Sequence, residues 1–180
     1  GTLDEMHELM ALVQAGKEYN ITPIGHYALD ACGLEKGYVH WGHDIGPKDT
    51  PHETGLAFAV SKLKLQYSPG QSPSGQSSSG QPPLGDTFLG QSAVQAQQST
   101  GVSRRLTQFA VCDAHPLLLH DEPLLCNGEL VGRTTSGGRG FRTDLSLCFG
   151  YLPCEPGAAT AVDPHGHYEV VVGDETFTLR

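Results

Sequence analysis

Near the start of the chain the apolar positions Leu3, Met6, Leu9, Met10 and Val13 recur at three- and four-residue steps, which lays them along one stripe of a helix. Thr2 and Glu5 precede that stripe at the spacing of a capping box, and Gly16 is placed to end the helix. A second helix is predicted from Thr22-Pro23, with proline at its first position, through Tyr27, Ala28, Ala31 and Leu34. Beyond it come Tyr38, Trp41 and Ile45, a turn at Gly46-Pro47-Lys48-Asp49, and the apolar run Leu56–Val60.

Later in the chain the period changes from helical to strand-like. A short helix is predicted over Gln91–Gln98, and Leu106–Val111 and Leu145–Leu152 then read as strands. Leu124-Leu125-Cys126 and Glu129-Leu130-Val131 flank Asn127-Gly128, a pair that supplies both positive-φ positions of a type I′ hairpin turn. Tyr168–Val172 and Thr176–Leu179, joined by Gly173-Asp174, make a second hairpin. Helices followed by short strands with frequent turns give an α+β chain whose strands fit a small barrel or a sandwich.

Charge divides the chain in the same way. Residues 1–65 hold nine acids and five bases, all Lys, whereas residues 86–180 hold eleven acids and six bases, all Arg. Residues 66–85 carry no charge; Gln recurs at 66, 71, 76 and 81 and Gly at 70, 75, 80 and 85, with Ser and Pro between them. Such a stretch has too little to bury to offset its ordering entropy, so it is predicted to be a disordered linker between the flanking pieces.

The net charge of −9 argues against a nucleic-acid partner, and Arg104-Arg105 is too short a basic cluster to change that. No apolar run approaches the roughly 18 residues of a membrane-spanning helix, so no membrane partner is expected. Because Gly1 stands where a Met would, with a helical pattern starting at once, the sequence is expected to be a piece of a longer chain. Cys32, Cys112, Cys126, Cys148 and Cys154 form no CxxC pair, which fits buried, reduced thiols in a cytosolic or matrix compartment. His40 and His43 stand three apart, but Gly42 interrupts the helix such a pair would need and no Cys lies at ligand spacing, so no metal is expected. His165-Gly166-His167 is expected as an exposed turn before the last hairpin. The motifs GxGxxG, HExxH and GxSxG and the P-loop do not occur.

The informative block is Leu34-Glu35-Lys36-Gly37-Tyr38-Val39-His40-Trp41-Gly42-His43-Asp44-Ile45, followed by Asp49-Thr50-Pro51-His52-Glu53-Thr54-Gly55-Leu56-Ala57-Phe58. It resembles the folate-binding region of the aminomethyltransferase family, in which a Leu-Glu-Ala-Gly helix end leads to an aromatic-Gly-x-Asp-Ile strand and a Thr-Pro-x-Glu-x-Gly-Leu segment. The variant Leu-Glu-Lys-Gly-Tyr, with His-Trp before the glycine, is similar to the flavin-dependent sarcosine and dimethylglycine dehydrogenases. Phe88-Leu89-Gly90 and Gly128–Gly137 continue the family order into its C-terminal barrel.

That resemblance implies the end of a folate-binding domain over 1–65 and a small antiparallel β-barrel over 86–180. It implies tetrahydrofolate as the ligand, with Glu35 accepting hydrogen bonds from the pterin and Lys64, in Ser61-Lys62-Leu63-Lys64, standing where the family carries a basic contact. A third family contact, a Tyr near the C-terminus, has no counterpart beside Phe177 and Arg180. Asp44, Glu53, Tyr38 and Trp41 are read as structural, the two aromatics walling either a core or a folate cavity. The family's proton-handling aspartate and the FAD-binding domain would lie upstream, so this stretch carries no catalytic residue. The implied parent is a mitochondrial-matrix (or cytoplasmic) N-methyl amine dehydrogenase; an aminomethyltransferase and a non-catalytic relative resembling the pyruvate dehydrogenase phosphatase regulatory subunit are the alternatives.

Overall fold

The computed structural model describes residues 2–65, 88–112, 115–158 and 160–180, with the side chains of residues 63 and 64 outside the description. The proposed linker at 66–85 lies outside the described residues.

Helix α1 spans Leu3–Ala15 and opens as predicted: the Glu5 amide donates to Thr2 Oγ1 at 3.3 Å and the Thr2 amide to Glu5 Oε2 at 2.6 Å. Gly16 caps its end, as expected, but stays right-handed: a 3-10 turn follows over Gly16–Tyr19, and Asn20 at φ 58° reverses the chain. No side chain of α1 is buried among the described residues, so its apolar stripe does not serve as core there. Helix α2, His26–Glu35, begins later than the sequence predicts, because Gly25 remains extended and becomes its cap, leaving Pro23 outside.

Gly37, at φ 73°, then turns the chain. The expected Trp41–Ile45 strand is instead a tight loop, closed by the Gly42 amide donating to the Ile45 carbonyl at 2.8 Å. Leu56–Val60 contains a 3-10 turn at Ala57–Ala59, followed by the one-turn helix α3, Lys62–Leu65. Helix α4 covers Gln91–Thr100, and its Gln95 donates to the Leu65 carbonyl at 2.7 Å.

Six antiparallel strands follow: β1 Arg104–Ala110, β2 Pro123–Cys126, β3 Glu129–Gly140, β4 Leu145–Pro153, β5 Tyr168–Val172 and β6 Glu175–Leu179. Their order is β1-β4-β3-β2-β5-β6, and the two outer strands meet. Ala110 and Arg180 exchange both backbone hydrogen bonds at 3.0 Å, and Val111 bridges Leu179. Closure makes this a barrel, not a sandwich. Register shifts at Leu124/Leu125 and Thr134/Ser136 mark the bulges that bend a sheet enough to close. The predicted Asn127-Gly128 turn is present, with φ 53° and 83°.

Strand β4 shows the two-sided logic of the sheet. Cys148 and Leu152 point into the barrel, where they pack with Phe109, Leu124 and Val170. Leu147 and Phe149, on the alternate positions, form a second cluster with Leu34 of α2. That cluster is the apolar link between the first part of the chain and the barrel. Burial, with a contribution from Glu122, pushes the Cys148 thiol up to about 12, which keeps it protonated and inert. All five cysteines are free; Cys32 and Cys112 are exposed, so the expectation of burial fails for those two. His165 and His167 are exposed as expected. Among the described residues no helix is long and apolar enough to cross a membrane.

Candidate functional site

Glu35 is the last residue of α2, where the helix dipole disfavours an anion. Its position is set from the barrel side. The Leu34 carbonyl accepts a hydrogen bond from the side-chain Nε2 of Gln108 on β1, and Leu34 itself is buried against Leu147 and Phe149. The carboxylate then crosses to the turn joining β3 and β4. Oε1 accepts from the Arg142 amide at 2.7 Å, the Thr143 amide at 2.8 Å and the Thr143 hydroxyl at 3.2 Å. Oε2 accepts no hydrogen bond from the described residues.

The Thr143 amide holds the Glu35 carboxyl below the usual carboxylate value, against an opposing desolvation and with help from the Arg142 amide, the Thr143 hydroxyl and the Arg142 charge. Backbone donors thus replace what the helix end withholds, and the group is a half-buried anion with one saturated oxygen and one unengaged among the described residues.

The other acids of the block also face the barrel. Asp44 is buried; Oδ1 accepts from the Thr135 and Ser136 hydroxyls at 2.6 Å each, and Oδ2 from the His40 amide at 2.8 Å. The Tyr151 hydroxyl donates to the Asp44 carbonyl at 3.1 Å. Arg104 of β1 donates through Nη2 to Asp49 at 2.8 Å and through Nε to Glu53 at 3.1 Å, with its guanidinium 4.5 Å from the centre of the Tyr151 ring. Desolvation works against the Arg104 charge, but Glu53 and Asp49 outweigh it and raise its pKa. Burial, reinforced by Asp49, pushes the Tyr151 hydroxyl up as well, so it remains a donor. The Leu106 amide completes the seam by donating to the Glu53 carbonyl at 2.8 Å.

The structural reading of Asp44 and Glu53 therefore describes their packing well. Tyr38 and Trp41 behave otherwise: they are 72% and 64% exposed and wall no core among the described residues. Lys64 lies in α3, with its side chain outside the described residues. Sequence reasoning missed the donors that receive the acids, namely Arg104, Thr135, Ser136 and the Arg142-Thr143 amides. Thr134-Thr135-Ser136, a polar run inside a strand, was the available signal for the Asp44 partners; backbone amides leave none.

The chain matches the GCVT N-terminal domain over residues 4–64 and the glycine cleavage T-protein C-terminal barrel domain over residues 104–180. It is 36% identical to 4-methylaminobutanoate oxidase (formaldehyde-forming) of Paenarthrobacter nicotinovorans over 90% of its own length, which spans 16% of that protein. It is 33% identical to mitochondrial sarcosine dehydrogenase of Homo sapiens over 85% of its length, spanning 14% of that enzyme. Among solved structures, the glycine cleavage system aminomethyltransferase T of Bartonella henselae aligns with a TM-score of 0.64 at 25% identity, covering 84% of this chain and 36% of that one. Helices and a six-stranded antiparallel barrel, in this order and with these two domain matches, mean that the chain belongs to the family that joins the GCVT N-terminal domain to the T-protein C-terminal barrel, in common with the sarcosine and dimethylglycine dehydrogenases and the aminomethyltransferases.

Proposed function

We propose that this chain is the tetrahydrofolate-binding part of a larger FAD-dependent N-methyl amine dehydrogenase of the mitochondrial matrix, with residues 1–65 contributing to the folate domain and 86–180 forming the barrel. The observation that carries this reading is Glu35, a half-buried carboxylate in the family block with one oxygen unengaged among the described residues. A pterin presents adjacent N–H donors, and an ionised carboxylate is the acceptor that suits them. The acceptor fits the ligand's donors, with one difference from a simple two-oxygen clamp: Oε1 is already saturated, so Oε2 is the oxygen offered. Lys64 would supply a point charge where the family carries a basic contact.

Bound tetrahydrofolate supplies an acceptor for the one-carbon unit released from the oxidised amine. This chain's share is to bind and orient it; the flavin and the proton-handling group belong to the upstream part of the parent. The relatives named as mitochondrial dehydrogenases support the compartment and the reaction class. A second reading is favoured by the likeness to aminomethyltransferase T, in which the same carboxylate would hold folate and no flavin is needed. Upstream sequence separates the two: a strand–GxGxxG–helix fingerprint belongs with the dehydrogenase.

Glu35→Gln in the intact parent tests the assignment. The substitution puts an amide NH2 where an acceptor is required, and loss of a charge-assisted pair costs about 1.5–3 kcal/mol, or roughly tenfold or more in affinity. Tetrahydrofolate should bind that much more weakly, amine oxidation with an artificial electron acceptor should be retained, and formaldehyde should replace the folate-bound one-carbon product. Unchanged folate affinity would remove Glu35 from the site.

A further inference from the structure

We propose that the β3–β4 turn of the barrel is the positioning device of the folate site: Arg142 and Thr143, in the space that Gly140 leaves open, hold Oε1 of Glu35 so that Oε2 faces the ligand. The inference rests on the reading of Glu35 as the pterin contact and names what orients it.

Three donors converge on a single oxygen, two of them the successive amides of Arg142 and Thr143. Consecutive amides pointing at one anion form a concave nest, which fixes a carboxylate in direction as well as in place. A glutamate at an exposed helix end otherwise samples many rotamers, and ordering such a side chain on binding is a cost that a prepared site avoids. The nest removes that cost before the ligand arrives. It also divides the carboxylate between two tasks, one oxygen for the barrel and one for the ligand.

Gly140 is part of the same device. A Cβ built there would stand 2.8 Å from both Glu35 Cγ and Glu35 Oε1, and closer still to Thr143 Oγ1. Side-chain atoms, not backbone, occupy that space, so an alanine is accommodated by expelling the Glu35 carboxylate from the nest while the strand persists. Gly140 sits at the end of β3, paired with Leu145, and its φ is not in the left-handed region, so alanine meets no backbone obstacle. The turn lies more than a hundred residues from Glu35 in sequence, which makes the site a joint product of the two family domains.

The test is calorimetric titration of tetrahydrofolate into the intact parent and its variants, with melting temperature as the control for folding. Gly140→Ala should keep the melting temperature within a few degrees and weaken folate binding by roughly three- to tenfold, the scale of one lost oriented hydrogen bond. Thr143→Val should weaken it less, having lost only the hydroxyl donor, and Thr143→Ser should restore parental affinity. The acid limb of the binding–pH profile should move to higher pH in Gly140→Ala, because removing Glu35 from its donors raises a depressed carboxyl. A merely structural glycine would leave that limb in place. If Glu35→Gln weakens binding while folded Gly140→Ala binds as tightly as the parent or tighter, the nest does not present the carboxylate and the inference falls. If Glu35→Gln itself binds normally, the underlying assignment of Glu35 falls first.

Discussion

Asn127 carries two duties in the β2–β3 turn. Its backbone sits at φ 53°, and its side-chain Oδ1 accepts from the His167 amide at 3.0 Å while its own amide donates to the His167 carbonyl at 2.8 Å. Asn tolerates the left-handed region better than other non-glycine residues, and a β-branched residue resists it. Asn127→Val should therefore destabilise the barrel by about 1–2 kcal/mol, and the lost side-chain bond to the loop before β5 adds to that. A thermal melt reads the effect; an unchanged melting temperature would remove the turn's claim on that residue. Glu35 shows a residue-scale pH effect of known sign. Its folded pKa is depressed, so the stabilisation it contributes to the β3–β4 turn is present above the unfolded carboxylate value and is lost as pH falls through the folded one.

At the scale of elements, α2 is attached to the barrel by one apolar side chain. Leu34 is 7% exposed and packs against Leu147 and Phe149, while Tyr27 on the same helix is 90% exposed. Leu34→Ala should cost about 2–4 kcal/mol, the transfer term plus the cavity left behind. Urea unfolding followed by circular dichroism checks this, and a loss below the range for exposed substitutions would mean that α2 is held by its hydrogen bonds alone. What was legible in the sequence follows from the range of each interaction. The capping box of α1 and the Asn127-Gly128 hairpin are local, set by a few neighbouring residues, and both are found where the pattern puts them. The late start of α2 turns on Gly25 staying extended, a local choice that the Thr-Pro signal does not reveal, and the loop at Trp41–Ile45 is anchored through Asp44 to Thr135 and Ser136 on a distant strand, which periodicity does not encode. Closure of the barrel between Ala110 and Arg180 is likewise a long-range backbone event with no residue signature. The block containing Glu35 was legible through family resemblance; the nest that receives it was not, since every residue but proline owns an amide.

Over the whole molecule, the two family domains meet along a seam that is apolar around Leu34 and Val39 and carries polar contacts beside them. Arg104 is its principal cation, shared between Asp49 and Glu53, whose side chains are 15% and 12% exposed. Arg104→Met leaves those two carboxylates adjacent without a counter-charge. Discounting for the 40% exposure of Arg104, the expected loss is about 1–3 kcal/mol. It should appear as a lower denaturation midpoint in a urea titration of the variant. A midpoint equal to the parent's would show the cluster to be a bystander. The same seam bears on domain exchange. An apolar joint accepts many partners, because grease fits grease, but a buried carboxylate that loses its donors is expensive. A chimera that grafts another relative's barrel onto residues 1–65 should therefore succeed or fail on a few positions, the hydroxyls facing Asp44 and the guanidinium facing Asp49 and Glu53, and not on overall identity. The polar seam is in that sense a key, admitting only barrels cut to its pattern of acids.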